Sequence, residues 1–203
     1  ALALAGAQGL TKTGPGTLAL TNINTYLGGT IINQGVVSIL TTNGSLGAGN
    51  TESVVLDGGT IAAKFTPATV AVLWPINIGV NGGQIDLLQT GNNGRWLMAA
   101  NTLSGPGTLT LKPGATRFTI NDQSGSGFSG KWIIDGSGRV PSATSGFINL
   151  NALAGDNCFG ASPAVFTPDA ITLINDGVLV NQNAANANAG SPTRGITIGS
   201  GGG

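Results

Sequence analysis

The chain has 203 residues, of which 35 are Gly, 9 are Pro and 40% are apolar, enough to build a buried core. Only 8% are charged, with 8 basic residues against 8 acidic, so there is neither a basic field to hold nucleic acid nor a polybasic face for an anionic membrane. The absence of His and the single Cys remove hydrolytic triads and zinc sites, and no catalytic, metal or cofactor-binding residues are expected.

Along the chain, Gly and Pro punctuate so densely that the longest stretch free of both runs only from Val178 to Ala189. Helices of that length are marginal, and its many Asn residues are poor helix formers. Between the punctuation, short β-branched or alternating runs predict strands at Thr17–Leu20, Thr30–Ile32, Val36–Ile39, Ser53–Leu56, Ile76–Ile78, Thr108–Leu111, Trp132–Ile134, Ile171–Leu173 and Ile196–Ile198. No apolar run approaches the roughly 18 residues needed to span a bilayer. The chain starts on Ala1 and stops on Gly201-Gly202-Gly203, and it reads as a processed product or a segment of something longer.

The strands repeat. Gly14-Pro15-Gly16-Thr17-Leu18 returns as Gly105-Pro106-Gly107-Thr108-Leu109, Ile76-Asn77-Ile78-Gly79 as Ile196-Thr197-Ile198-Gly199, and the Val55–Ile61 segment is answered by Ile171–Leu179. This pattern predicts one continuous segment, 1–203, made of two diverged super-repeats at about 9–104 and 105–203. Within a copy, Gly-Gly at 28, 58 and 82 recurs at spacings near one turn of a parallel β-helix. At about 22 residues per coil the chain would make roughly nine coils, a rod of roughly 43 Å. Inward Val, Ile and Leu would stack between coils, Asn and Thr would line up in ladders, and few charges would be tolerated in register. The two ends of such a rod expose unpaired N–H and C=O groups, a template for another chain.

From Gly9 to Gly35, Lys12, the Gly14-Pro15-Gly16 turn, Asn24-Thr25-Tyr26, Gly28-Gly29-Thr30 and the final Gly35 sit in the pattern of the autotransporter-associated β-strand repeat, also called the passenger-associated transport repeat. The chain resembles that family strictly over this stretch, with a decayed copy at Leu103–Leu111 and Phe128–Gly136. The resemblance implies an all-β, right-handed parallel β-helix in a bacterial protein exported to the cell surface or beyond, with adhesive, structural or passenger-folding roles and no catalytic residues.

Parallel β-helices also host glycan-cleaving enzymes, which use two carboxylates about 5 to 10 Å apart. Asp135, Asp156 and Asp176 are almost evenly spaced, close to one coil apart, and could form a column on neighbouring coils. Asp57, Asp135 and Asp176 each precede Gly, however, which is the signature of a tight turn, and the Lys and Arg residues are scattered singly with no acid evidently paired to them. No tandem Gly-Gly-x-Gly-x-Asp repeat points to calcium. Arg95-Trp96 and Lys131-Trp132 could stack on sugars, although rings such as Trp74, before Pro75, also suit coil corners. Cys158 reads as a small buried hydrophobe.

The expected function is therefore a non-enzymatic structural or adhesive extracellular protein: part of a surface rod, or a filament in which the chain partners itself head to tail or stacks on neighbouring repeats. The alternative is a glycan-binding or glycan-cleaving β-helix using Trp96, Trp132 and the Asp135/Asp156/Asp176 column.

Overall fold

A computed structural model describes residues 3–40, 45–48, 52–64, 69–88, 95–140, 146–151, 155–181 and 191–201. The strands form three parallel sheets that climb side by side. Sheet I comprises β2 (Leu10–Lys12), β5 (Thr30–Ile32), β7 (Val54–Leu56), β10 (Ile76–Ile78), β13 (Leu103–Gly105) and β16 (Gly127–Phe128). Sheet II comprises β3 (Thr17–Leu20), β6 (Val36–Ile39), β8 (Thr60–Ala63), β11 (Gly83–Leu87), β14 (Leu109–Lys112), β17 (Trp132–Asp135), β19 (Thr167–Ile174) and β21 (Arg194–Ile198). Sheet III comprises β9 (Thr69–Val72), β12 (Arg95–Met98), β15 (Arg117–Asn121), β18 (Phe147–Asn151) and β20 (Leu179–Asn181). A short pair, β1 (Ala5–Gly6) with β4 (Thr25–Tyr26), stands beside the first turn, and the one helical element among the described residues is a 3₁₀ segment at Gly155–Phe159.

The chain is thus an all-β parallel β-solenoid, as the sequence predicts. It has six turns counted along sheet I and two further rungs on sheet II, rather than nine coils. The reason is coil length. The shortest register step carries Thr17 onto Val36, but most are longer than the sequence suggests: Ile76 pairs with Leu103, Arg117 with Phe147, and Trp132 with Ile171 across a loop that takes in the 3₁₀ segment. Gly58 to Gly82 is one such coil, whereas Gly28 precedes sheet I and Gly58 precedes sheet II, so that spacing spans a coil and a wall. The two Gly-Pro-Gly turns occupy the same corner, between sheets I and II. Ile76–Ile78 lies in sheet I, while Ile196–Ile198 lies in sheet II.

In-register parallel pairing places equivalent side chains on the same face of every rung. In sheet II this produces an inward column of Leu18, Val37, Ile61, Ile85, Leu111, Ile134, Leu173 and Ile198. Its middle members are fully buried, Leu18 and Leu173 are partly so, and Ile198 is 57% exposed. Sheet III closes the core with large rings: Trp96 stacks on Phe118 at 5.5 Å, and Trp74 meets Trp96 edge-on at 6.3 Å.

The first turn explains its own sequence. Lys12 is in register with the buried Ile32, and its ammonium donates to the carbonyls of Thr13, Gly14 and Gln34, tying the first coil to the second. Gly28 packs backbone to backbone against Gly9, and Gly35, at φ 72°, sits over Gly14, Gly16 and the Lys12 ammonium, so a Cβ on either residue would collide. Asn24 and Tyr26 are buried. The Asn24 amide accepts from Leu4 N–H and donates to the Ser45 carbonyl, and the Tyr26 and Thr30 hydroxyls bond at 2.6 Å.

Candidate functional site

The residues singled out in the sequence separate in the structure. Trp74, Trp96 and Trp132 are all at most 1% exposed. Neighbouring residues on a strand point to opposite faces, so Arg95 and Lys131 look outward while their tryptophans look inward. Trp132 is held between Phe128 and Phe159, with its indole N–H donating to the Phe159 carbonyl at 3.1 Å. A ring in that position cannot stack on a sugar, so Trp96 and Trp132 pack in the core, as the coil-corner reading of the rings anticipates, and do not form the alternative glycan platform. Cys158 is fully buried, with its sulfur 3.2 Å from the Ile120 carbonyl.

Of the Asp135/Asp156/Asp176 column, the structure places Asp135 and Asp176 on neighbouring coils, Asp135 being in register with Ile174. Asp135 ends β17, and Asp176 lies in the turn after β19 at φ 61°, while the side chain of Asp156 lies outside the described residues. Asp135 Oδ1 accepts from Ser137 N–H at 2.8 Å and from the Asn175 amide at 2.9 Å, while Asp57 and Asp122 likewise accept from turn N–H groups at Asn81 and Ser124. These carboxylates shape turns and join coils.

What sequence reading missed is that acids and bases meet across coils. Lys131 binds Asp169 at 2.6 Å, Arg139 binds Asp176, and Lys112 stands 3.9 Å from Asp135. These Lys and Arg residues, single in the sequence, are therefore paired in space. Asp86 is in direct register with Lys112, and Lys112 reaches Asp135 on the following rung, so the charges alternate along the rod. The signal was present in the sequence as opposite charges set one coil apart, first Asp86 to Lys112 and then Lys112 to Asp135.

This column borders a cleft of about 420 Å³ at the corner where sheet II turns toward sheet III, walled by Leu88, Gly114, Ser137 and Val140, with Asp86 and Lys112 at its base. Burial holds the Asp86 carboxyl above its usual range, with the Asp135 charge adding to the rise and Lys112 opposing it. For Asp135, burial also pushes upward. The hydrogen bonds from Asn175 and Ser137, together with Lys112, outweigh it and hold the carboxyl low. Two carboxylates with divergent proton affinities resemble an acid and base pair. Lys112 nevertheless fills the rung between them, and the arrangement neutralises charge on three successive coils. Among the described residues, no three Cys, Asp or Glu side chains gather as a metal group, and no helix is long and apolar enough to cross a membrane.

A coil of this construction, with a lysine-tied first turn and glycines packed between rungs, defines a segment of a parallel β-solenoid. The family model of the passenger-associated-transport-repeat matches residues 10–39, and with the solenoid that continues it the chain fits an autotransporter passenger repeat protein. No curated protein and no solved structure matches the chain.

Proposed function

We propose that this chain is a non-enzymatic structural segment of an extracellular bacterial surface rod or filament, extended by coils added at its ends. The observation that carries the reading is the open end of the core. Ile196 and Ile198 belong to inward columns of sheet II yet are 55% and 57% exposed, and β21 pairs only with β19 among the described residues. A further coil, from a second copy or a neighbouring repeat of the same chain, would cover both side chains and satisfy that strand edge. A heterologous contact of this kind does not close, so it propagates. Adhesion would follow from the display of outward side chains along such a rod.

Electron microscopy of the native material tests this. The expected result is filaments with a meridional repeat near 4.8 Å, the rung spacing of paired strands. Ile198→Lys should abolish them, because a charge would be buried at the joint. Short, separate rods at every concentration would remove the filament form of the proposal and leave a module of a larger rod.

A further inference from the structure

The charged column at the corner of sheet II alternates in sign, but sheet III does the opposite. Arg95 of β12 and Arg117 of β15 are in direct register, one rung apart. Both are on the outward face, since Trp96 and Met98 on β12 and Phe118 and Ile120 on β15 fill the core. Burial, and then the Arg95 charge, hold the Arg117 guanidinium below its usual range. Arg95 makes no ion pair among the described residues, and the flanking segments 65–68, 89–94 and 141–145 contain no Asp or Glu. On the same face lie Thr119, fully buried, and Asn149, 5% exposed, in register with each other. The Thr119 hydroxyl and the Asn149 side-chain oxygen are shielded from solvent and have no hydrogen-bond partner, as is also true of Arg95 Nε. Buried polar groups are rarely left in that state without something to bind.

We propose that Arg95 and Arg117, with the Thr119 hydroxyl and the Asn149 amide beside them, form a binding site for an oxyanion, either a free sulfate or phosphate or the sulfate or carboxylate of an acidic polysaccharide. Two guanidinium groups on adjacent rungs can both donate to one oxyanion, whose charge offsets their mutual repulsion. The Thr119 hydroxyl supplies a further donor, and half a turn of the Asn149 amide presents its NH₂ group. The site is independent of the open end of the solenoid, so its failure would leave the structural role untouched.

The test is thermal stability and binding of the 203-residue chain titrated with sodium sulfate at ionic strength matched by sodium chloride, with phosphate, dextran sulfate and neutral dextran in parallel. The expected result is saturable stabilisation by sulfate, weakened at least tenfold in Arg95→Gln and in Arg117→Gln and unchanged in Lys64→Gln, which removes the same charge elsewhere. Arg95→Lys, which keeps the charge but loses the fork, should weaken binding by a smaller factor and guards against misfolding of the Gln variants. Tighter binding of dextran sulfate than of sulfate, with dextran inert, identifies a polymer as the source of the oxyanion, and the reverse order identifies the free ion. No response to any anion, or equal loss in Lys64→Gln and Arg95→Gln, would overturn the proposal.

Discussion

The first turns and the middle turns close the same triangular coil by different chemistry. In the first turn the corner facing sheet I holds a buried amide, Asn24, and a buried hydroxyl pair, Tyr26 with Thr30, beside the short β1–β4 ladder. In the middle, the corresponding space is filled by Trp74, Trp96 and Phe118 packed ring on ring. The amide device recurs beside the rings. Gln123, fully buried, accepts from Leu103 N–H and donates to the Ala99 carbonyl, bridging coils as Asn24 does. A hydrogen-bonded corner fixes register through directional bonds, whereas an aromatic corner gains stability through area. The solenoid uses a polar corner in the first turn and combines rings with a buried amide in the middle.

The largest expected effect lies in the rings. Trp96→Ala removes a ring that is 1% exposed and leaves Trp74 and Phe118 facing a cavity, which should cost about 3–5 kcal/mol. At about 2–4 °C of Tm per kcal/mol for a chain of this size, calorimetry reads it directly. Coils contact only their neighbours, so hydrogen exchange should quicken mainly in the rungs around β12. Uniform loss of protection over the whole chain would show instead that the corner is not a local device.

A smaller loss belongs to the polar corner. Asn24→Ala removes the acceptor of the Leu4 N–H and the amide that donates to the Ser45 carbonyl, at about 1–3 kcal/mol, and Gln123→Ala should cost a similar amount. Tyr26→Phe should cost less, about 1 kcal/mol, because the Thr30 hydroxyl still has the Leu46 carbonyl as a partner. Denaturant midpoints measure all three. If Asn24→Ala proved costlier than Trp96→Ala, the polar corner would be the dominant clamp and the comparison would reverse.

How much of this was legible follows from where the strands lie. All nine strands expected from the sequence exist, and all lie in sheets I and II, whose rungs carry Val, Ile, Leu and Thr in alternation. Sheet III escaped altogether. Its strands β12 and β15 open on Arg95 and Arg117, end on Met98 and Asn121, and carry Trp96 and Phe118 inward, so neither β-branched runs nor simple alternation marks them, whereas Thr69–Val72 of β9 does carry such a run. That omission hid the burial of Trp96 and the Arg95–Arg117 stack together, since both are properties of sheet III. The coil count failed for a related reason: corners leading into sheet III vary in length, and no fixed period survives them. Residues 10–39 were legible in full because each motif residue there meets a backbone demand, such as the Gly28–Gly9 contact or the Lys12 carbonyl cluster.

The smallest effect distinguishes the two carboxylates that share Lys112. Asp86 is held above its ordinary value of 3.8, chiefly by burial, so as pH rises past 3.8 the unfolded chain ionises first and the fold loses stability until the folded carboxyl has also ionised. Asp135 is held below 3.8, despite the opposing effect of burial, by its Asn175 and Ser137 hydrogen bonds and Lys112. Its contribution is therefore present above 3.8 and is lost as pH falls toward the lowered folded value. Urea midpoints between about pH 2.5 and 7 should then separate the variants. Asp135→Asn should be less stable than the parent near neutrality and converge with it in acid. Asp86→Asn should match the parent in acid and lose less stability than the parent as pH rises. Parallel pH profiles for the two variants would mean that Lys112 does not discriminate between its neighbours, and that the alternating column is three separate surface charges rather than one inter-coil tie.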